Sequence, residues 1–326
     1  MAEENSNNPQ PQQRVISLQN ISQEFLGALQ RNYDMLAFNL AATQNVTAEQ
    51  YEQFSAMTHA MPVHQIHAPF DGVKNFAHGL ILRQTLNDAL SIAAACMDQC
   101  HLLCSLIKNK PNANLGLATG STPIRLYELM REDHKANGTS YKDIKSFNLD
   151  EYYGLAQDHP QSYYYFMCHQ LFNELDIDKN NINVPKGKGS IEEVCDEYNA
   201  LLAENPRDIQ LLGLGSNGHV GFNEPGTSFD SVTHYIALKQ STIEDNAKLF
   251  FNGDLSAVPT HAITMGISNI MEAKKVLLIA TGERKAEAVK GLVEGPVTED
   301  LPASILQKHE DAIIIVDEAA ASLLSK

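Results

Sequence analysis

Three residues in one short stretch, Asn217, His219 and Glu224, are of the types needed to move protons near neutral pH. An imidazole flanked by one neutral and one anionic partner can have its tautomer fixed and its pKa tuned, as a general acid–base group requires. They lie within D-I-Q-L-L-G-L-G-S-N-G-H-V-G-F-N-E-P-G-T-S-F, residues 208–229, where Gly213, Gly215, Gly218, Gly221 and Gly226 crowd together. Backbone so rich in glycine can take positive φ and approach a ligand closely. A second candidate is the turn Thr119-Gly120-Ser121-Thr122, followed by Pro123. Free backbone N–H groups, hydroxyl donors and the positive end of a helix dipole converge at such a turn and favour an anion. The turn carries no lysine, so a phosphorylated metabolite suits it better than a nucleoside triphosphate; an ordinary capped turn is the plain alternative. The third candidate is the carboxylate pair Asp150-Glu151. Adjacent side chains at a strand end point to opposite sides, so only one of the two can serve a given pocket.

Each of these groups needs a strand end to carry it. Ile209–Leu214 is a short apolar run bounded by glycine, the pattern of a strand buried on both faces of a parallel sheet. Asn114–Ala118 predicts a strand feeding the Thr119–Thr122 turn, with Pro123 suited to the first position of a helix that continues from Ile124. Ile144–Leu149 predicts a strand ending at Asp150, and no apolar helix is expected to start there. Ala262–Ile267, Lys275–Ala280 and Ala312–Val316 read as three further strands, a long amphipathic helix is expected from about Asn75 to Lys108, and Tyr163–Phe166 fall on a helix as packing residues. Strands alternating with helices imply an α/β fold with a doubly wound, mostly parallel sheet and helices on both faces. Such sheets bind ligands at the carboxyl ends of their strands.

The chain has 326 residues, 43% of them hydrophobic, enough for one large domain over residues 71–326. Residues 1–13, rich in Asn, Gln and Pro, are expected to be a disordered tail. Residues 14–70 are expected to form a helical extension: Phe25, Leu29, Tyr33, Leu36 and Leu40 recur at helical spacing, and Thr47-Ala-Glu-Gln50 is a capping box. Covering an apolar patch or making a subunit contact is its simplest role, which leaves a homo-oligomer open. A formal charge of −16 excludes a nucleic-acid or anionic-membrane surface, so an anionic substrate must be held by a few local cations. No apolar run approaches the ~20 residues of a membrane span. The N-terminus has no basic region leading into an apolar core, and five cysteines, an odd number, point to a reducing, cytoplasmic setting. Cys96, Cys100 and Cys104 recur every four residues near His101, but Ala93–Ala95, Leu102, Leu103 and Leu106 around them mark a buried helix in which cysteine is a small hydrophobe. His59, His64 and His67 lack acidic or thiol neighbours at ligand spacing, so no metal site is expected.

The string N-G-H-V-G-F-N-E-P-G, residues 217–226, resembles the signature of glucosamine-6-phosphate deaminases. Further stretches agree in order: L-G-L-A-T-G-S-T-P at 115–123, F-N-L-D-E-Y-Y-G-L at 147–155, H-P-Q-S-Y at 159–163, A-T-G-E-R-K-A at 280–286, E-G-P-V-T at 294–298 and P-A-S-I-L-Q-K-H at 302–309. The resemblance runs from roughly residue 70 to the end. It implies conversion of a small phosphorylated amino sugar to a ketose phosphate and ammonia without a cofactor. His219, with Glu224 and Asn217, would open the sugar ring, and Asp150 rather than Glu151 would carry a proton between carbons 2 and 1. Gly120, Ser121 and Thr122 with Lys285 would grip the phosphate, and Lys248 stands where many members have an arginine on a lid. Asn217 replaces the aspartate of some members, leaving the imidazole one anion fewer. His234 and Ile236 stand where allosterically activated members carry cations, which argues against such activation here.

Three other readings share the pattern in part. A 6-phosphogluconolactonase has a similar Gly-His loop but not the F-N-E-P-G continuation or D-E-Y. A galactosamine-6-phosphate deaminase would look nearly the same. A sugar-phosphate sensor of a transcription regulator would carry a helix-turn-helix and would not need Asp150, His219 and Glu224. Because no cysteine, histidine and carboxylate cluster has ligand spacing, activity is expected to survive exhaustive chelation. Loss on chelation with recovery on adding a divalent metal would contradict this.

Overall fold

The computed structural model describes residues 80–83, 100–251 and 253–325, all within the unit Phe70–Lys326. The expected tail over 1–13, the helical extension over 14–70 with His59, His64 and His67, and Cys96 lie outside the described residues.

The described strands are β1 (Leu80–Arg83), β2 (Asn114–Leu117), β3 (Lys145–Asn148), β4 (Asp150–Tyr152), β5 (Ile182–Asn183), β6 (Ile209–Gly213), β7 (His234–Ala237), β8 (His261–Thr264), β9 (Val276–Ala280) and β10 (Ala312–Asp317). Seven of them form one parallel sheet in the order β1-β10-β9-β6-β2-β3-β5. The alternation along its central strands shows why it is covered twice. On β9, Val276, Leu278 and Ala280 join one core with Val289 and Leu292 of helix Ala286–Glu294 and Tyr198 and Leu202 of helix Ile191–Glu204. Leu277 and Ile279 face the other way, into a core with Leu126 and Met130 of helix Ile124–Asn137 and with Leu103 and Ile107 of the helical residues 100–109. A strand apolar at every position must be buried on both faces, and the helices supply the two covers.

The chain winds outward from β2 through β3 to β5, then returns to place β6 on the other side of β2 and continues to β9 and β10. The β2–β6 boundary is therefore a topological switch point, and a crevice opens beyond the carboxyl ends of these two strands. β6 leads into the glycine-rich loop and β2 into the Thr119–Thr122 turn, so both candidate loops meet there.

The structure corrects three expectations. Leu80–Arg83, placed by the sequence pattern inside a long helix, is a strand paired with β10 from Leu80↔Ile314 to Arg83↔Asp317. A short apolar run has no period long enough to separate helix from strand, and the edge of β10 supplies the partner. His261–Thr264 is not part of the parallel sheet: with β4 and β7 it forms a second, antiparallel sheet in the order β4-β8-β7. Leu149 is the corner between the two, donating its N–H to Leu117 at 3.0 Å and accepting from the Met265 N–H at 2.7 Å. The Asp150-Glu151 pair does hold a helix cap: the helix expected at Tyr163–Phe166 spans Tyr163–Gln170 and its first N–H groups reach Glu151. Cys100 and Cys104 pack as small hydrophobes, as expected, with their sulfurs 3.6 Å apart.

Leu278 is fully buried on β9 between Leu212 of β6 and Ile314 of β10. Leu278→Ala is expected to lower unfolding stability by about 2–5 kcal/mol, the range for a buried leucine whose cavity cannot collapse. Urea denaturation midpoints measure it.

Candidate active site

The loop after β6 is shaped around His219. Gly215 donates its N–H to the His219 carbonyl at 2.9 Å, closing the turn. A Cβ at Gly215 would lie 2.4 Å from Cε1 and Nδ1 of the imidazole, so only glycine leaves room for the ring. The side chains then form a chain of donors and acceptors. Asn217 Nδ2 donates to Glu224 Oε2 at 2.7 Å, and Asn217 Oδ1 lies 2.7 Å from His219 Nδ1. With its N–H₂ end engaged by a carboxylate, the amide can only accept from the imidazole, so Nδ1 carries the proton and Nε2 is left basic. Glu224 thus acts on the ring through Asn217, its own Oε2 being 3.6 Å from Nδ1. Its other oxygen, Oε1, accepts from the Thr242 hydroxyl at 2.6 Å, and Lys239 Nζ lies 3.8 Å from Oε2. Burial opposes charge on Glu224, but the imidazole of His219 close by and the hydrogen bonds from Thr242 and Asn217 outweigh it and hold the carboxyl down to about 2.

Asp150 is in the opposite condition. It opens β4 directly across from Thr264 of β8 and is buried. Burial, then the neighbouring Glu151 charge, push its carboxyl up to about 8, against the one hydroxyl contact from Thr119 at 3.5 Å. The glycine loop comes to it at Gly221, where φ is +58° and a Cβ would stand 3.5 Å from Asp150 Oδ2 and 3.1 Å from Thr264 Oγ1. Gly221 is two residues from His219, so the carboxyl and the imidazole loop share one crevice. Glu151 points the other way, as adjacent strand residues must, and accepts from the N–H groups of Tyr163 at 2.9 Å and Tyr164 at 3.0 Å. It caps the helix Tyr163–Gln170; burial lifts its carboxyl to about 7 although those amides pull it down.

Gly120, Ser121 and Thr122 follow β2, with Gly120 at φ +125°. Pro123 directly precedes helix Ile124–Asn137, whose N-terminus has no side-chain cap. Lys285 follows β9 in the turn Glu283–Lys285, which is tied down by Gly282 donating its N–H to both carboxylate oxygens of the buried Asp317 at 3.0 Å. All of these groups hang from the carboxyl ends of β9, β6, β2 and β3, neighbours in the parallel sheet. Lys248 stands exposed on the last turn of helix Gln240–Phe250, outside the contacts described above. A cleft of about 300 Å³ opens beside Thr119 and Gly120 against Tyr152, Tyr163 and Phe166. A second, of about 500 Å³, passes Glu224 and Lys239 and includes His234 and Ile236. Sequence reasoning missed Thr242, and placed Thr119 in the anion turn without its contact to Asp150. Nothing in a lone threonine marks it as a partner of a carboxyl that lies 31 or 18 residues away. Among the described residues no group of three or more metal-ligating side chains comes together, and no helix is long and apolar enough to cross a membrane.

Comparison with known proteins agrees with this layout. The model of the family described as glucosamine-6-phosphate isomerases/6-phosphogluconolactonase matches residues 87–315, more than half of the chain. A glucosamine-6-phosphate deaminase of Halalkalibacterium halodurans is 48% identical over 235 residues, covering 72% of this chain and 93% of that protein. The structure of a monomeric glucosamine-6-phosphate deaminase superposes with a TM-score of 0.70 at 40% identity, over 75% of this chain and 99% of the other. The 6-phosphogluconolactonase of Trypanosoma cruzi superposes at 0.62 with 20% identity, over 77% of this chain and 98% of the other, a likeness of fold alone.

The raised Asp150 pKa predicts a pH effect on stability. Unfolded, the carboxyl ionises near 3.9; folded, it keeps its proton up to about 8. The stabilisation associated with that proton is complete below the unfolded value and is lost as pH rises through the folded one. Asp150→Asn, which cannot ionise, should therefore gain stability relative to the native chain on going from pH 5 to pH 8.5. Urea midpoints of both proteins across that range test it, and a constant difference would mean that Asp150 is ionised throughout.

Proposed function

Because the chain belongs to the family of glucosamine-6-phosphate isomerases and 6-phosphogluconolactonases, we infer that it is a glucosamine-6-phosphate deaminase, converting glucosamine 6-phosphate and water to fructose 6-phosphate and ammonia. The observation that carries this reading is the approach of the histidine loop, at Gly221, to a buried carboxyl held near the operating pH, with the His219 Nδ1 turned to the Asn217 amide oxygen so that Nε2 is left to accept a proton. Opening an aminosugar ring and shifting a proton between adjacent carbons calls for these two groups.

In the mechanism that follows, His219 Nε2 takes the proton from the carbon 1 hydroxyl and delivers it to the ring oxygen, opening the sugar. Asp150, ionised, removes the carbon 2 proton of the open-chain ammonium aldehyde while one N–H proton passes to the carbon 1 oxygen, giving an enolamine; Asp150 then returns its proton to carbon 1, leaving a protonated imine at carbon 2. Water adds to the imine carbon and ammonia leaves. Burial raises the basicity of Asp150, and a pKa near the working pH lets one carboxyl both take and give the proton. The backbone amides and hydroxyls of Gly120, Ser121 and Thr122, with Lys285, hold the phosphate far from the reacting carbons, and Lys248 adds charge from helix Gln240–Phe250. A lysine there keeps the charge but not the planar fork of an arginine. Glu151, spent on a helix N-terminus, is not the base. The reducing setting suggested by the cysteine count supports a cytoplasmic enzyme.

Ammonia release from glucosamine, galactosamine and N-acetylglucosamine 6-phosphates tests the assignment. Turnover of the first is expected and of the N-acetyl form not, because a blocked amine cannot leave; equal rates on those two would refute the reading, and the galactosamine arm reports the epimer preference. The two groups separate in variants. Asp150→Asn should abolish both ammonia release and exchange of the carbon 2 hydrogen with deuterated solvent. His219→Gln should lose activity on the cyclic substrate yet regain exchange with an open-chain analogue. Exchange persisting in Asp150→Asn would remove Asp150 as the base.

A further inference from the structure

Each Glu224 oxygen has one short donor: Oε2 the Asn217 amide at 2.7 Å and Oε1 the Thr242 hydroxyl at 2.6 Å. Glu224 and Thr242 are both buried, and the hydroxyl comes from a separate element, helix Gln240–Phe250. The arrangement matters because residue 217 is an asparagine. A carboxylate there would accept from the imidazole with either oxygen. An amide has one accepting and one donating end, and must be held one way round to act as an acceptor. What holds it is the Glu224 oxygen that takes the Asn217 N–H₂. That oxygen stays in place only while the carboxyl cannot rotate, and Thr242 pins its other end.

We propose that Thr242 is a positioning residue for ring opening: its hydroxyl fixes the Glu224 carboxylate, which fixes the Asn217 amide, which keeps the proton of His219 on Nδ1. This rests on the deaminase reading and assigns a role in it to helix Gln240–Phe250. The seat of that helix on the loop sets the imidazole. Thr242 and Lys248 lie on the same helix, six residues and under two turns apart. A phosphate drawing on Lys248 therefore acts on the element that sets the imidazole, linking capture of the non-reacting end to readiness for the first chemical step. A threonine kept only to satisfy a buried carboxyl would affect stability but not the tautomer.

Thr242→Val deletes the hydroxyl and keeps the shape; Thr242→Ser keeps the hydroxyl. The ring ¹⁵N shifts of His219, which need no turnover, should report protonated Nδ1 in the native chain and in Thr242→Ser, and a mixture of tautomers in Thr242→Val. Loss of a hydrogen bond to a charged group should lower kcat on cyclic glucosamine 6-phosphate by about tenfold or more. KM should change little, deuterium exchange with an open-chain analogue should be kept, and Thr242→Ser should restore kcat. Native tautomer and kcat in Thr242→Val would overturn the proposal, as would an equal loss on the open-chain analogue. Should Thr242→Val fail to fold, Thr242→Ala against Thr242→Ser makes the same comparison. A native chain that releases no ammonia would defeat the assigned reaction while leaving the tautomer measurement to decide the role of Thr242.

Discussion

Everything chemical in this molecule hangs from the pair β2–β6, where the winding of the sheet reverses. The strands meet only over Leu115↔Ile209 and Gly116↔Gln210, and the chain leaves them in opposite directions, toward β3 and toward β9. Gly116 makes the meeting close: the buried Gln210 side chain fills the space that a Cβ on Gly116 would take, 2.1 Å from its Oε1. With no connection crossing above them, the carboxyl ends of the strands face an open crevice. Loops after β9, β6, β2 and β3 then reach the same space, the longest of them residues 214–233 between β6 and β7.

Within that crevice two carboxyl groups are driven apart. Asp150 is buried with a weak hydroxyl partner beside a second acid, and keeps its proton to about 8. Glu224 is also buried, yet the nearby His219 imidazole and the Thr242 and Asn217 donors hold it ionised down to about 2. Burial raises both, Asp150 the more, and the neighbours do the rest: a second carboxyl beside Asp150, an imidazole and two donors beside Glu224. The first condition suits a group that must take and return a proton; the second suits a fixed anion that orders its neighbours. Glu151, adjacent to Asp150, is spent on the N–H groups of a helix.

The fold alone would not have told a deaminase from a lactonase, since the lactonase neighbour superposes at a TM-score of 0.62 with 20% identity. Chemistry on a shared fold is set by side chains at the strand ends. In the function proposed above these are the Asp150 carboxyl and the Asn217–His219–Glu224 chain, and it was on their sequence context, F-N-L-D-E-Y and N-G-H-V-G-F-N-E-P-G, that the resemblance rested.

By itself the sequence determined what is local and periodic. Strands apolar at every position announced a sheet covered on both faces, glycines marked the loops, and the motif around His219 named the family, because each of these is written in adjacent residues. That only one of Asp150 and Glu151 can serve a given pocket was also legible, since alternation along a strand sends neighbours to opposite sides; which one came from the resemblance. Only the tertiary structure decided which sheet a short strand joins: His261–Thr264 was read as a strand of the parallel sheet and Leu80–Arg83 as part of a helix, and their partners come from other segments of the chain. It also decided that Glu224 reaches the imidazole through Asn217, that Thr242 closes the other end of that carboxyl, and that Gly221 brings the histidine loop to Asp150. Such contacts depend on where two separate backbones come to rest, and a distance across space leaves no period or spacing in the sequence.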